Sequence, residues 1–86
     1  MQQVRLSVTS TTGLHARPAA QLVQTASQFQ STVTIEAAGK SVNAKSILQV
    51  LSLGAANGTE ITVSADGPDE AECLSALASL LMKGFA

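Results

Sequence analysis

Aromatic side chains are almost missing from this sequence of 86 residues: Phe29 and Phe85 are the two phenylalanines, and there is no tryptophan or tyrosine. That removes the stacking platforms on which single-stranded nucleic acids bind. Charge is sparse too, 13% of residues with a net −1 at neutral pH. A nucleic-acid partner would need a basic stripe, which this balance does not offer. The single cysteine, Cys73, cannot close an internal disulfide, and with one histidine in the chain it makes no metal-ligand set. No metal and no other cofactor is therefore expected, and Cys73 reads as a small packing residue. No apolar run approaches the ~20 residues of a membrane-spanning helix. Met1-Gln2-Gln3-Val4-Arg5 leads straight into a strand pattern, not a signal peptide. Repeats, linkers and low-complexity segments are absent as well. These absences predict a soluble, cytoplasmic protein with one domain over residues 1–86. Such a chain buries only roughly 60–65% of its unfolded surface. With so few aromatics, its small core must be built from Val, Ile, Leu and Ala.

What is present is clear periodicity. Residues 2–9 alternate, Val4, Leu6 and Val8 against Gln3, Arg5, Ser7 and Thr9, the pattern of a half-buried strand. Ala19, Leu22, Val23 and Ala26 fall at i, i+3, i+4 and i+7, one face of a helix running to about Ser27. Residues 32–37 alternate again, Ala38-Gly39 signals a tight turn, and 40–44 return as a short strand. Ser46 opens a second helix, with Gln49 three residues on as in a capping box, and Gly54 is its stop signal. Residues 59–65 form a fourth strand. Asp66-Gly67-Pro68 turns the chain into a last helix, with Pro68 as its first residue and Asp69, Glu70 and Glu72 at its positive end. Ala71, Leu74, Leu77, Ala78 and Leu81 are its expected buried stripe, and Lys83 and Gly84 close it. The order is β-α-β-β-α-β-α. Amphipathic strands bury one sheet face. The expected fold is therefore α+β, a two-layer open-faced sandwich with a four-stranded, mainly antiparallel sheet under three helices.

The chemistry is concentrated in Gly13-Leu14-His15-Ala16-Arg17-Pro18-Ala19-Ala20. Pro18 suits a first helical turn, where its missing N–H would have had no intrahelical partner. His15 then stands at or just before a helix N-terminus, beside the free N–H groups of Ala16 and Arg17 and the positive end of the helix dipole. An imidazole there is a nucleophile next to a cradle for a phosphoryl group. Arg17 adds a fixed charge and a fork of donors suited to phosphate oxygens. Singly, each residue has an ordinary structural explanation. Their conjunction, with Gly13 letting the backbone turn just before the helix, favours a phosphate-handling site.

On the second helix Ile47, Leu48, Val50, Leu51 and Leu53 spread over more than half the circumference, wider than one core-facing stripe of ~100°. With Val50 and Leu53 turned inward, Ile47, Leu48 and Leu51 are left exposed as a partner surface. Ser46, at the start of this helix, reads as an unmodified N-cap.

Two motifs, Gly13-Leu14-His15-Ala16-Arg17-Pro18-Ala19 and Asn43-Ala44-Lys45-Ser46-Ile47-Leu48 followed by Leu53-Gly54, give the chain its resemblance to HPr, the histidine-containing phosphocarrier family of the bacterial sugar phosphotransferase system. The likeness extends over the whole chain in length and element order. It implies that His15 takes a phosphoryl group on Nδ1 from enzyme I, which draws it from phosphoenolpyruvate. His15 would then pass the group to a histidine of a sugar-specific IIA domain, with no turnover of its own. It further implies that Arg17 assists the phosphoryl group and that the backbone of Ala16 and Arg17 binds it. Ala16, Ala20, Ile47, Leu48 and Leu51 match the family's apolar docking surface. Ser46 matches a serine phosphorylated by HPr kinase, so the kinase and a carbon-catabolite transcription regulator join the implied partners of a monomeric carrier. Two neighbouring readings remain: a carrier of a nitrogen-linked regulatory branch, and a non-phosphorylated regulatory binding module of the same fold. The latter has no use for a nucleophile at His15. A stand-alone enzyme fits least, because the carboxylates at positions 36, 60, 66, 69, 70 and 72 lie outside the histidine motif.

Overall fold

A computed structural model describes residues 1–7, 16–53 and 59–82, and the side chains of all of these except 16–18 and 82. The elements are β1 (Gln2–Ser7), α1 (Ala16–Ser27), β2 (Thr32–Ala37), β3 (Lys40–Asn43), α2 (Ile47–Ser52), β4 (Glu60–Asp66) and α3 (Glu70–Met82). This is the order the periodicities predict. Val8 and Thr9 of the expected first strand, Gly54, Lys83 and Gly84 lie outside the described residues.

The strands pair in the order β1-β4-β2-β3, each pair antiparallel. Register explains why one face is apolar. Val4 lies opposite Val63, Val63 opposite Ile35, and Ile35 opposite Val42, one row across all four strands. Stepping one residue along each strand gives Arg5, Thr62, Glu36 and Ser41, the row on the opposite, uncovered face. The apolar face is covered by helices: α3 lies against β1 and β4, α1 packs against both α2 and α3, and α2 touches β3. Leu22, Ile35, Ile61, Leu77 and Leu81 are the largest fully buried side chains, with Cys73 among them and Phe29 packed at the edge. Burial pushes the Cys73 thiol up from its ordinary pKa. Among the described residues no helix is long and apolar enough to cross a membrane.

The β2–β3 turn places Ala38 at φ 52° and Gly39 at φ 81°. Both central residues thus take the left-handed values of the tight hairpin turn whose twist matches the flanking strands.

The last helix differs from expectation in two ways. Its regular turns begin at Glu70, two residues after Pro68. Ala71 is exposed and Ala78 half-buried, while Cys73, Leu74, Leu77 and Leu81 form the buried stripe. Ala71 sits about 80° around the helix from Leu81 and farther still from Leu77, which puts it at the rim of that stripe.

Asp69 also does more than favour a helix start. Its carbonyl accepts the Cys73 N–H at 2.9 Å. Its carboxylate accepts the Gln30 N–H at 2.8 Å, the Ser31 N–H at 3.0 Å and the Ser31 hydroxyl. The Ser31 hydroxyl, followed by the Gln30 N–H, holds this carboxyl below its ordinary pKa. Ser31 is fully buried. The backbone of Gly67 approaches it so closely that a Cβ on Gly67 would lie 2.6 Å from the Ser31 Cα. Asp69 therefore ties the start of α3 to the α1–β2 junction.

Candidate functional site

The apolar stripe of α1 is buried as the sequence predicts: Ala19, Leu22 and Ala26 are inaccessible and Val23 is partly buried against them. That burial fixes the helix, and the helix starts at Ala16, one residue after His15. Ala16, Arg17, Pro18 and Ala19 make its first turn, the turn whose N–H groups lack intrahelical acceptors. His15 itself, and the side chains of Ala16 and Arg17, lie outside what is described. Ala20 is half-buried.

The contact between α1 and α2 sets the helix that follows His15 beside the one that carries the expected docking residues. Leu48 is 78% exposed and Ile47 39%. Val50, the inward residue of the expectation, is fully buried, with Leu53 half-buried beside it. Leu51 departs from expectation: it is half-buried and packs against the core. The helical wheel explains the split. Leu51 lies about 100° from Val50, at the seam, whereas Leu48 is turned about 160° away from Val50. The exposed apolar surface at α2 is thus Ile47 and Leu48, with Leu51 as its floor.

Ser46 is the N-cap of α2, extended at φ −116° and ψ 113°, and its carbonyl accepts the Val50 N–H at 3.0 Å. Only half of the expected capping box forms. The Ser46 hydroxyl accepts the Gln49 N–H at a long 3.5 Å. The Gln49 side chain passes by the Ser46 N–H and accepts the Asn43 N–H instead, at 2.9 Å. The Ser46 N–H donates to the Asn43 carbonyl at 3.2 Å, and the Lys45 N–H to Asn43 Oδ1 at 2.9 Å. Asn43 is thereby the post on which the first turn of α2 hangs. At the other end of this helix Lys40 Nζ donates to the Ser52 carbonyl at 3.0 Å, a cation on a helix C-terminus. Lys45 Nζ donates to the Phe29 carbonyl at 2.7 Å, just beyond α1. Sequence reasoning did not find these anchors. An asparagine two residues before a turn was the available signal for Asn43, but nothing local marks which carbonyl a lysine will reach.

Residues 2–83 match the family described as the PTS HPr component phosphorylation site. The chain belongs to the HPr family. Solved HPr structures agree. HPr-C-His of Thermoanaerobacter tengcongensis is 47% identical, with a TM-score of 0.96 over 99% of this chain and 96% of that one. HPr of Bacillus anthracis is 45% identical, with a TM-score of 0.89 over 93% of this chain and 95% of that one. The Bacillus subtilis catabolite repression protein Crh, solved as a domain-swapped dimer, is 48% identical, with a TM-score of 0.78 over 98% and 97%. The open-faced α+β sandwich is the HPr fold, and family and fold together support a phosphocarrier role in the phosphotransferase system.

Proposed function

We propose that His15 is the phosphoryl-carrying residue, accepting the group on Nδ1 from phosphorylated enzyme I and giving it up to a histidine of a sugar-specific IIA domain. The observation that carries this reading is the family match over residues 2–83, described as a phosphorylation site and containing a single histidine. Histidine is also the one side chain that titrates unperturbed near neutrality. In the transfer, Nδ1 attacks phosphorus, a P–N bond forms, and the bond from phosphorus to enzyme I breaks, its electron pair leaving with enzyme I. Arg17 and the N–H groups of Ala16 and Arg17 spread the negative charge of the group. Ile47 and Leu48, with Ala16, Ala20 and the half-buried Leu51, form the surface against which enzyme I and the IIA domains dock. The exposure of Leu48 supports this, since a large apolar side chain gains by being covered. The carrier turns over no substrate of its own and works in the cytoplasm as a monomer over residues 1–86.

The direct test is incubation with enzyme I and phosphoenolpyruvate, followed by mass spectrometry and acid treatment. One phosphoryl group that is acid-labile and base-stable, and absent from His15→Ala, is expected. Undiminished labelling of that variant would sink the assignment. The 48% identity to Crh keeps a second reading in place, a regulatory module that docks through α2 without carrying phosphate. Failure of His15 to label in the same incubation would favour it. A size-exclusion elution at twice the chain mass would replace the monomer by a dimer.

Ser46 has its observed role as N-cap and a proposed second one as the target of HPr kinase, which would bring a carbon-catabolite transcription regulator among the partners. Its phosphate would add about −1.5 to −2 charges next to Ile47 and Leu48. Docking would be repelled while the fold stayed intact. Kinase, ATP and an acid-stable phosphate lost in Ser46→Ala are the corresponding test.

A further inference from the structure

Helix α2 is six residues long, far short of the ~12–15 residues at which a helix begins to hold itself together in water. Its orientation therefore comes from its attachments. Inward, Val50 is buried and Leu51 packs against the core. These apolar contacts place the helix on the protein but leave its roll and its first turn loosely specified, because aliphatic packing is not directional. The Ser46 hydroxyl contributes little there, since it meets the Gln49 N–H at 3.5 Å, beyond the normal range of a good N–H···O bond.

The side chain of the first turn that makes a directional attachment to the sheet edge is Gln49. β3 is an edge strand, and the Ala44 N–H points toward β2, donating to the Val33 carbonyl at 2.9 Å. In an antiparallel ladder the N–H of the preceding residue points the other way, so the Asn43 N–H faces outward from the sheet edge. Gln49 Oε1 takes it at 2.9 Å. With the Ser46 N–H on the Asn43 carbonyl at 3.2 Å, this closes a two-bond link between the sheet edge and the turn that carries Ile47 and Leu48.

We propose that Gln49 is a positioning residue for docking: by accepting the Asn43 N–H it holds Leu48 in the outward orientation that partners meet. This rests on the reading of Ile47 and Leu48 as the docking surface. Gln49 acts through Leu48 and needs no contact with the partner.

The test is a double-mutant cycle on phosphoryl acceptance from enzyme I, using the full chain. Gln49→Met keeps the length of the side chain and removes the acceptor. It is expected to raise KM about 2- to 12-fold, the worth of one net hydrogen bond, with kcat unchanged. In the free protein its Asn43 amide should exchange faster with solvent. Leu48→Ala is expected to raise KM as well. In the Leu48→Ala background, Gln49→Met should add little. Effects that multiply would mean that Gln49 touches the partner itself, which overturns the positioning role. An unchanged KM for Gln49→Met beside a raised KM for Leu48→Ala overturns it too. An unchanged KM for Leu48→Ala instead overturns the docking reading on which it stands.

Discussion

Replacing Gly67 by alanine is the sharpest test of how this fold is closed. The added Cβ would lie 2.6 Å from the Ser31 Cα, 2.7 Å from its Oγ and 3.0 Å from its Cβ. Carbon atoms in contact prefer ~3.5–4.0 Å, so the overlap with a backbone atom is about 1 Å. A rotamer change cannot relieve it. Ser31 is fully buried, and its N–H and hydroxyl are both held by Asp69. Relief needs the α1–β2 junction and the turn before α3 to separate, stretching the bonds that Asp69 makes across them. Overpacking of this kind costs about 1–3 kcal/mol. Against it stands the smaller entropy of the unfolded chain with alanine, worth about 0.4–1 kcal/mol. Gly67 is not among the described residues at positive φ, so no further backbone term enters. The clash wins by about 1–2 kcal/mol, a fall in Tm of roughly 5–15 °C for a domain of this size. Thermal and urea unfolding followed by circular dichroism would read it, with an unchanged m-value showing that the denatured state is not the cause. In a Ser31→Gly background the penalty should shrink without vanishing, because the contact to Cα remains. A Gly67→Ala protein that melts at or above the parent temperature would refute the reasoning. Phosphoryl transfer by the folded variant should be near normal, since the junction lies at the far end of α1 from Ala16, about 18 Å of helix away.

The other expectations concern the site and its supports. Leu48→Asp should change stability by no more than about 0.5 kcal/mol while weakening docking to enzyme I. Val50→Asp should abolish folding, because a charge in a fully buried position costs as much as the ~5–15 kcal/mol that hold a domain together; titration calorimetry and circular dichroism separate the two, and a Leu48→Asp protein that is strongly destabilised while its folded fraction binds normally would deny Leu48 the docking role. Asp69→Ala should be less stable than the parent at neutral pH. Because the folded-state pKa of Asp69 is lowered, its contribution is present above the unfolded value of ~3.9 and fades as pH falls through the folded one; the gap between the two denaturation curves should therefore close in acid, and a gap independent of pH would deny the carboxylate its role. Arg17→Ala should fold normally and accept phosphate about 10- to 100-fold more slowly, the worth of a charge-assisted bond; equal rates would mean that the backbone N–H groups suffice. Ser46→Asp should melt with the parent and be phosphorylated more slowly by enzyme I, and a destabilised or fully active variant would rule out a docking block.

Where structure follows from neighbours in sequence, it was legible. Alternation and helical spacing placed seven elements in order, and the buried faces of α1, β2 and β4 fall on the residues that carry the period. Helix α2 was readable as a split helix because Val50 and Leu48 lie on opposite sides of it, whereas Leu51 at the seam depends on how closely the core approaches. Long-range choices were not readable. Nothing local tells Asp69 to hold Gln30 and Ser31, 39 and 38 residues earlier, or Gln49 to prefer Asn43 over its own cap. Antiparallel pairing was expected, but the strand order β1-β4-β2-β3 is a property of the whole sheet. For the site, residue types and spacing pointed to His15 and Arg17 from chemistry alone.

That strand order governs when the sheet can exist. β2 and β3 are joined by a two-residue turn and can pair as soon as both are made. Among the described strands β1 has no such early partner: it pairs with β4, and Leu6 meets Ile61 more than fifty residues later. β4, last of the strands to be synthesised, fills the gap between the first and the second. Until it arrives, β1 on one side and the hairpin on the other have no common edge, and Val4 and Leu6 stay in water. During synthesis, therefore, the nascent chain can hold a hairpin and fluctuating helices but no core. Closure is one late event, dominated by distant contacts, and such contacts make it slower than the folding of a helical bundle.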